Sequence, residues 1–321
     1  LVIANAVTEG PSSISYMFAL NSPLETSTPD TIALLLPTFK FGGSLSAAGS
    51  GCGTTTFTTS STKTGTATAT LTLSAQTATL NAYQECKVTI ATGVTASSAT
   101  QVANWSGRTA VVTLNDANVA DISAVKITTS TATVAPALTR SVLSIADPTT
   151  WSHSSISYTF ELNAPLEPTT DTIALVLPLF TIGTAGALST SSGCGSTAFT
   201  AADTKSGTST ATLTLGAKTA TLSAGSECTV TVGSGVTTSA KAQTANLNTR
   251  TVAVTLGAVA DISAVPISVS TAVDAPALST SILTIAEPSI WSESSISYTF
   301  VLNAPLEATD SIALLLPTFT M

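Results

Sequence analysis

The chain has 321 residues, of which 44% are hydrophobic, only 9% are charged and 5% are aromatic. Ser and Thr account for 105 residues, a composition that excludes a charge-rich disordered chain and favours many short strands joined by turns. The net charge of −8 gives no electrostatic support to a nucleic-acid partner, and no apolar run approaches the roughly 18–20 residues that a transmembrane helix needs.

Strand patterns begin near the start of the chain. In ISYMFAL (14–20), Ile, Tyr, Phe and Leu occupy alternate positions, and the apolar run IALLL (32–36) follows. In TATATLTL (66–73), Ala or Leu alternates with Thr. A period of two residues indicates strands with one buried face, and we find no segment with a helical period.

The same patterns return in the same order later in the chain. ISYTFEL (156–162) repeats the first strand, and its apolar residues again share one face. Further predicted strands are TIALVLP (172–178), KTATL (218–222), CTVTV (228–232), TRTVAVTL (249–256), PISVST (266–271) and SILTIA (281–286). Seven to nine short strands in about 140 residues predict an all-β chain of tandem immunoglobulin-like antiparallel β-sandwich domains.

Three tyrosines in the same phrase, Tyr16, Tyr158 and Tyr298, mark the repeat period, and such self-similarity indicates repeated structural units. We therefore expect a first β-sandwich repeat at 1–136 with a truncated first strand, a second at 137–274, and the first strands of an incomplete third at 275–321. Because the sequence LVIANAVTEG opens the chain without an initiator Met or a signal peptide, we expect a mature fragment or a window of a longer protein.

The four cysteines form two pairs with identical spacing, Cys52 with Cys86 and Cys194 with Cys228. Four cysteines allow three connectivities, and one pair in each repeat favours disulfides within the repeats. The residues around them lack the tight Cys and His clusters of a zinc site. Disulfides predict an extracellular protein, secreted or at the cell surface.

The recurring phrases SISYTF, LNAPLE, DTIAL, TATLTL and VTV extend over essentially the whole chain. Together they resemble tandem immunoglobulin-like repeats of large secreted surface proteins, such as bacterial and archaeal adhesins and repeat-rich secreted proteins of algae and other protists. This resemblance implies an extracellular structural or adhesive role, and it implies no particular ligand.

No residue pattern predicts an enzyme or a cofactor. His153 is the only histidine and lies in the turn TTWSHSS, where the other repeats have Pro11 and Glu293. A Ser-His-Asp triad is therefore not expected. Acidic residues also recur around one turn, and we interpret them as solvated, with a calcium site as the alternative: they are Glu25, Glu167, Glu307, Asp30, Asp171 and Asp310.

Three surface features are candidates for contact with other molecules. Trp151 and Trp291 occupy matching turns, and we expect them to pack between domains, with partial burial or sugar stacking as alternatives. Asn104 heads the sequon Asn104-Trp105-Ser106 and is the predicted N-glycosylation site. The rows of threonines predict a solvated or O-glycosylated strand face, with an ice-binding array of hydroxyl groups as the alternative.

These observations predict a structural subunit of an extracellular filament or cell-surface appendage, which associates with neighbouring copies or repeats. An adhesin or carbohydrate-binding surface protein is the alternative. The stub 283–321 retains an apolar face and the run IALLL but no covering sheet. We expect it to be completed either by further repeats of a longer chain or by strands of a neighbouring subunit.

Overall fold

The computed structural model describes residues 1–26, 30–115, 119–183, 188–287, 293–304, 306 and 310–317. All regular structure in these ranges is β-strand, and nearly every strand pair is antiparallel, so the predicted all-β antiparallel class is confirmed. We call residues 1–136 the first unit, 137–274 the second unit and 275–321 the third unit.

The described residues of the first unit form ten strands in two sheets. They are β1 (Val2–Ile3), β2 (Pro11–Phe18), β3 (Thr31–Leu35), β4 (Lys40–Phe41), β5 (Ala47–Ser50), β6 (Phe57–Thr62), β7 (Thr70–Ala75), β8 (Cys86–Thr95), β9 (Thr109–Thr113) and β10 (Ile122–Lys126). One sheet has the order β1-β2-β8-β4, with β5 also paired to β8, and the other has the order β10-β9-β3-β7-β6.

The second unit repeats this order of strands. They are β11 (Leu138–Ile145), β12 (His153–Leu162), β13 (Thr172–Val176), β14 (Thr181–Ile182), β15 (Leu188–Ser192), β16 (Phe199–Thr204), β17 (Thr212–Ala217), β18 (Cys228–Thr237), β19 (Thr251–Thr255), β20 (Ile262–Pro266) and β21 (Val269–Ser270). Its sheets have the orders β14-β18-β12-β11-β21, with β15 on β18, and β16-β17-β13-β19-β20. The short β21 pairs with β11 in parallel.

Alternation along the strands builds the core of each unit between its two sheets. In β17, Leu213 and Leu215 are buried while Thr212 and Thr214 are partly exposed, because successive side chains of a strand point to opposite faces. Residues of both sheets form one buried cluster in each unit. The predicted inward face of ISYTFEL is confirmed, since Ile156, Tyr158, Phe160 and Leu162 are all buried.

The predicted strand KTATL is wrong, and TATATLTL is confirmed only from Thr70 onward. Strand β7 begins at Thr70, and residues 66–69 form a turn in which the Thr66 hydroxyl donates to the Lys63 carbonyl at 2.7 Å. Residues 218–222 form no strand, and only Leu222 makes an isolated bridge, to Leu166. Threonine side chains that bond to nearby backbone compete with strand pairing, so alternation alone predicts strands that are too long here.

The third unit has two strands in the described residues, β22 (Leu278–Ile285) and β23 (Ile296–Leu302), which form an antiparallel hairpin. Its register matches that of β11 and β12, with Leu283 opposite Tyr298 as Leu143 is opposite Tyr158. The burial differs, since Phe300 is 37% exposed and its counterpart Phe160 is 0% exposed. The hairpin therefore has the shape of a core strand pair, but nothing in the described part of the chain covers its apolar face.

Replacing Phe160 and Phe300 separately by Ala compares one residue in two environments. Phe160→Ala should lower the free energy of unfolding by about 3–5 kcal/mol, because it leaves a cavity in the core. Phe300→Ala should cost less than about 1 kcal/mol, because its side chain is already in contact with water. Urea unfolding at a concentration where sedimentation shows a monomer measures both, and equal losses would contradict the different burial of the two rings.

Candidate assembly site

The disulfides join neighbouring strands at one edge of a sheet. Cys52 pairs with Cys86 and Cys194 with Cys228, which is the pairing expected from the equal spacing. Each bond links the residues that follow β5 or β15 to the first residue of β8 or β18, its partner strand. In the chain-entropy description each bridge contributes about 3–4 kcal/mol. Two buried disulfides are compatible with an oxidising, extracellular compartment.

A buried arginine lies at the same place in each complete unit, directly before β9 or β19. Arg108 and Arg250 are 0% exposed, and no carboxylate of the described residues forms an ion pair with either. Arg250 Nε donates to Gln243 Oε1 at 3.0 Å, and Nη1 donates to the Thr271 carbonyl. The guanidinium carbon lies 5.7 Å from the centre of the Phe180 ring. Neutral acceptors and an aromatic face thus replace the water that the cation loses.

Burial shifts the pKa of each of these groups so that its neutral form is favoured. It lowers the pKa of Arg250 to about 10 and also lowers the pKa of Arg108, because a low-dielectric surrounding disfavours the charged form. Arg250 therefore still carries its charge at neutral pH. Burial also raises the pKa of the Tyr158 hydroxyl, although its hydrogen bond with Ser141 opposes the change.

The interpretation of the recurring aspartates as solvated residues is wrong for Asp30 and Asp171, which are both buried. Asp171 Oδ2 accepts from the Glu167 backbone N–H at 2.7 Å, and Oδ1 accepts from the Gly257 N–H at 2.8 Å. Asp30 makes the same kind of contact with the N–H group of Glu25. Each carboxylate therefore ties its turn to the loop after β9 or β19, and backbone donors stabilise its charge.

Trp151 is not packed between domains. Trp151 lies in a turn with a positive φ of 61°, and the residue is 66% exposed, so the predicted packing is not formed there. Glu9 occupies the same position in the first unit, where it lines a groove with Gly257, Ala258 and Val259 of the second unit. The equivalent loop of the third unit, which would face Trp151, is not part of the 321 residues. Trp291 lies outside the described residues.

Asn104 is exposed and has a left-handed backbone conformation, with φ 57°. Its side-chain Oδ1 accepts from the Ser130 N–H at 2.7 Å. Asn246 has the same conformation and the same bond to Ser270 without a sequon. The backbone conformation and this hydrogen bond therefore account for an asparagine at this position in both units. The glycan on Asn104 remains a prediction.

A shallow groove in the second unit contains the single histidine, beside Asp147, Ser154 and Gly235. The His153 ring nitrogen Nδ1 lies 3.4 Å from the Thr237 hydroxyl, and no described residue completes a triad with it. None of the described segments forms a helix long and apolar enough to cross a membrane.

The open face of the third unit is the strongest candidate for contact with another molecule. Tyr298 and Phe300 stack with their centres 5.5 Å apart, and the Tyr298 hydroxyl lies 2.9 Å from Ser281 Oγ. The buried pair Tyr158 and Phe160 has nearly the same separation, 5.6 Å. Leu315 of the following apolar run is 91% exposed. The exposed hairpin of the third unit therefore has the same ring arrangement as the buried strand pair of the second unit.

No protein-family model matches this sequence, and no curated protein is significantly similar to it.

Arg250→Met tests the buried guanidinium while it nearly preserves side-chain volume. The change leaves Gln243 Oε1 and the Thr271 carbonyl without this donor, and an unsatisfied buried acceptor costs about 1–3 kcal/mol. We expect a loss of about 2–4 kcal/mol in urea unfolding. Arg140→Met, which removes an exposed ion pair with Glu227, is the matched control and should cost less than about 1 kcal/mol.

Native material from a eukaryotic secretory pathway should carry a glycan on Asn104, because the residue is exposed and its sequon is intact. Mass spectrometry of intact glycopeptides measures the occupancy. Asn246, which has the same conformation but no sequon, is the internal control and should be bare. An unmodified Asn104, together with unmodified Ser and Thr residues, would argue for a non-glycosylated surface.

Proposed function

We propose that the protein is a structural subunit of an extracellular filament or cell-surface appendage, built from disulfide-stapled immunoglobulin-like repeats. The observation that carries the proposal is the open face of the third unit. The same residue types are buried in the second unit and exposed in the third. Burial of one large apolar side chain is worth about 1.5–3 kcal/mol, so covering this face strongly favours association.

The strand order supports the immunoglobulin-like assignment. Strand β2 lies between β1 and β8, and β3 lies next to β9, which pairs with β10. This arrangement corresponds to the A-B-E and C-F-G groups of an immunoglobulin sandwich, with β8 as strand E and β9 as strand F. The strands β4 to β7 then lie between C and E in the chain, where an immunoglobulin sandwich has strand D.

The covering strands come either from further repeats or from a neighbouring copy. A hairpin with an open apolar face and a free edge is a template for strand addition. Denaturing electrophoresis of native material separates these routes. A band near 32.1 kDa favours strands exchanged between subunits, and a much larger species favours a long chain of modules.

Assembly through the open face is tested with two variants of adjacent residues. Phe300→Asp places a charge on the apolar face, whereas Thr299→Asp places it on the opposite face, since neighbours along a strand point apart. We expect the unchanged chain and Thr299→Asp to form ordered polymers in negative stain, and Phe300→Asp to remain monomeric in sedimentation. Equal melting temperatures show that the first two units stay folded.

The contrary result also has a clear meaning. Discrete monomers of the unchanged chain at every concentration would contradict assembly through this face.

The alternative, an adhesin or carbohydrate-binding protein, has its own supporting observation in the exposed Trp151 ring, since sugars stack on aromatic faces. Binding to a glycan array that is lost in Trp151→Ala would favour that function over the filament.

A further inference from the structure

Each residue of the connection between the first and second units, 134–137, is held either by hydrogen bonds or by a proline ring. Val134 is bonded to the first unit, because its N–H donates to the Ala6 carbonyl at 2.8 Å and its carbonyl accepts from the Thr8 N–H at 2.8 Å. The next residue, Ala135, is bonded to the second unit, because its carbonyl accepts from Asn163 Nδ2 at 2.9 Å. Consecutive residues are therefore hydrogen-bonded to different units.

Asn163 holds the remainder of this linker. Its backbone N–H donates to the Ala137 carbonyl at 3.1 Å, and its side-chain Oδ1 accepts from the Ala137 N–H at 2.7 Å. The amide side chain thus continues the pairing of β11 with β12 beyond their ends. Between Ala135 and Ala137 stands Pro136, whose ring restricts its own φ to a single narrow range.

Side-chain contacts also join the two units. Val7 of the first unit is buried and belongs to the core cluster whose other members are residues of the second unit. A methyl group on Gly10 would lie 3.5 Å from Val259 Cγ1. The loop 257–259 faces Glu9 and Lys40 of the first unit across the groove described above. This contact opposes bending about the linker.

The same linker is present a second time. Asp274 is bonded to the second unit through the Thr150 N–H at 2.9 Å, and the Ala275 carbonyl accepts from Asn303 Nδ2 at 3.1 Å. Asn303 Oδ1 accepts from the Ala277 N–H at 2.7 Å, the same distance as at Asn163. Because the third unit contains only a hairpin in the described residues, this arrangement needs no completed sandwich.

We propose that adjacent units interact through a fixed-angle joint in which Asn163, and Asn303 at the next linker, are positioning residues. Each unit therefore binds the preceding unit of the same type. The first hairpin of the following unit supplies the asparagine, and its loop equivalent to Gly257–Val259 contacts the preceding unit. The inference does not depend on filament formation, since it concerns the angle between units within one chain.

The test compares Asn163→Ala with Asn21→Ala in the full chain. Asn21 occupies the same motif position in the first unit, and the two linkers are bonded to Asn163 and Asn303 instead, so its replacement leaves both linkers intact. Nitrogen-15 relaxation gives the rotational correlation time of each unit, in the Phe300→Asp background and at a concentration where sedimentation shows a monomer.

We expect one shared correlation time for the two units in the Phe300→Asp background and in Asn21→Ala. In Asn163→Ala the two values should separate and shorten, and small-angle X-ray scattering should show a wider distribution of dimensions. Separate correlation times before any change at the joint would overturn the fixed angle. A shared value that persists in Asn163→Ala would overturn the role of this residue, and unchanged strand chemical shifts exclude unfolding as the cause.

Discussion

A buried guanidinium group determines where the chain leaves each complete unit. Arg108 Nε donates to Gln101 Oε1 at 3.0 Å, and its Nη1 donates to the Thr131 carbonyl. Gln101 and Thr133 then exchange backbone hydrogen bonds of 3.0 and 2.8 Å. The linker begins immediately afterwards. Because an unpaired buried cation is costly, these acceptors must stay in place, and the path of residues 131–134 is fixed with them.

The opposite end of the unit is organised by a buried anion. Asp171 accepts from two backbone N–H groups, and one of them belongs to Gly257, the first residue of the loop that faces the first unit. Each complete unit thus has an arginine at its exit and an aspartate at its entry, each stabilised by neutral groups. A joint is formed where the exit of one unit meets the entry of the next, so its geometry depends on both.

The sequence predicted those features that depend on alternation or on equal spacing. The inward face of ISYTFEL and the two disulfides follow from the pattern alone. The burial of Arg108, Asp30 and Asp171 could not be predicted, because a charged residue next to a strand is usually solvated, and only the fold brings Gln101 or the Gly257 N–H beside the charge. The role of Asn163 in the linker could not be predicted from the motif LNAPLE, because its partners lie 26 and 28 positions earlier in the chain and only strand pairing brings them close.

The outer faces of the sheets offer little binding energy for lateral packing in the proposed filament. Hydroxyl groups on neighbouring strands bond to each other, with Ser157 2.8 Å from Thr231 and Thr159 2.7 Å from Thr229. Ser15 and Thr89 form the equivalent pair in the first unit. Groups satisfied in this way gain little from a second protein surface, since a net hydrogen bond is worth only about 1 kcal/mol. The uncovered apolar face is instead that of the hairpin β22–β23. Under the proposed filament function, association between units therefore uses apolar surface, because these paired hydroxyl groups offer little binding energy to a second protein.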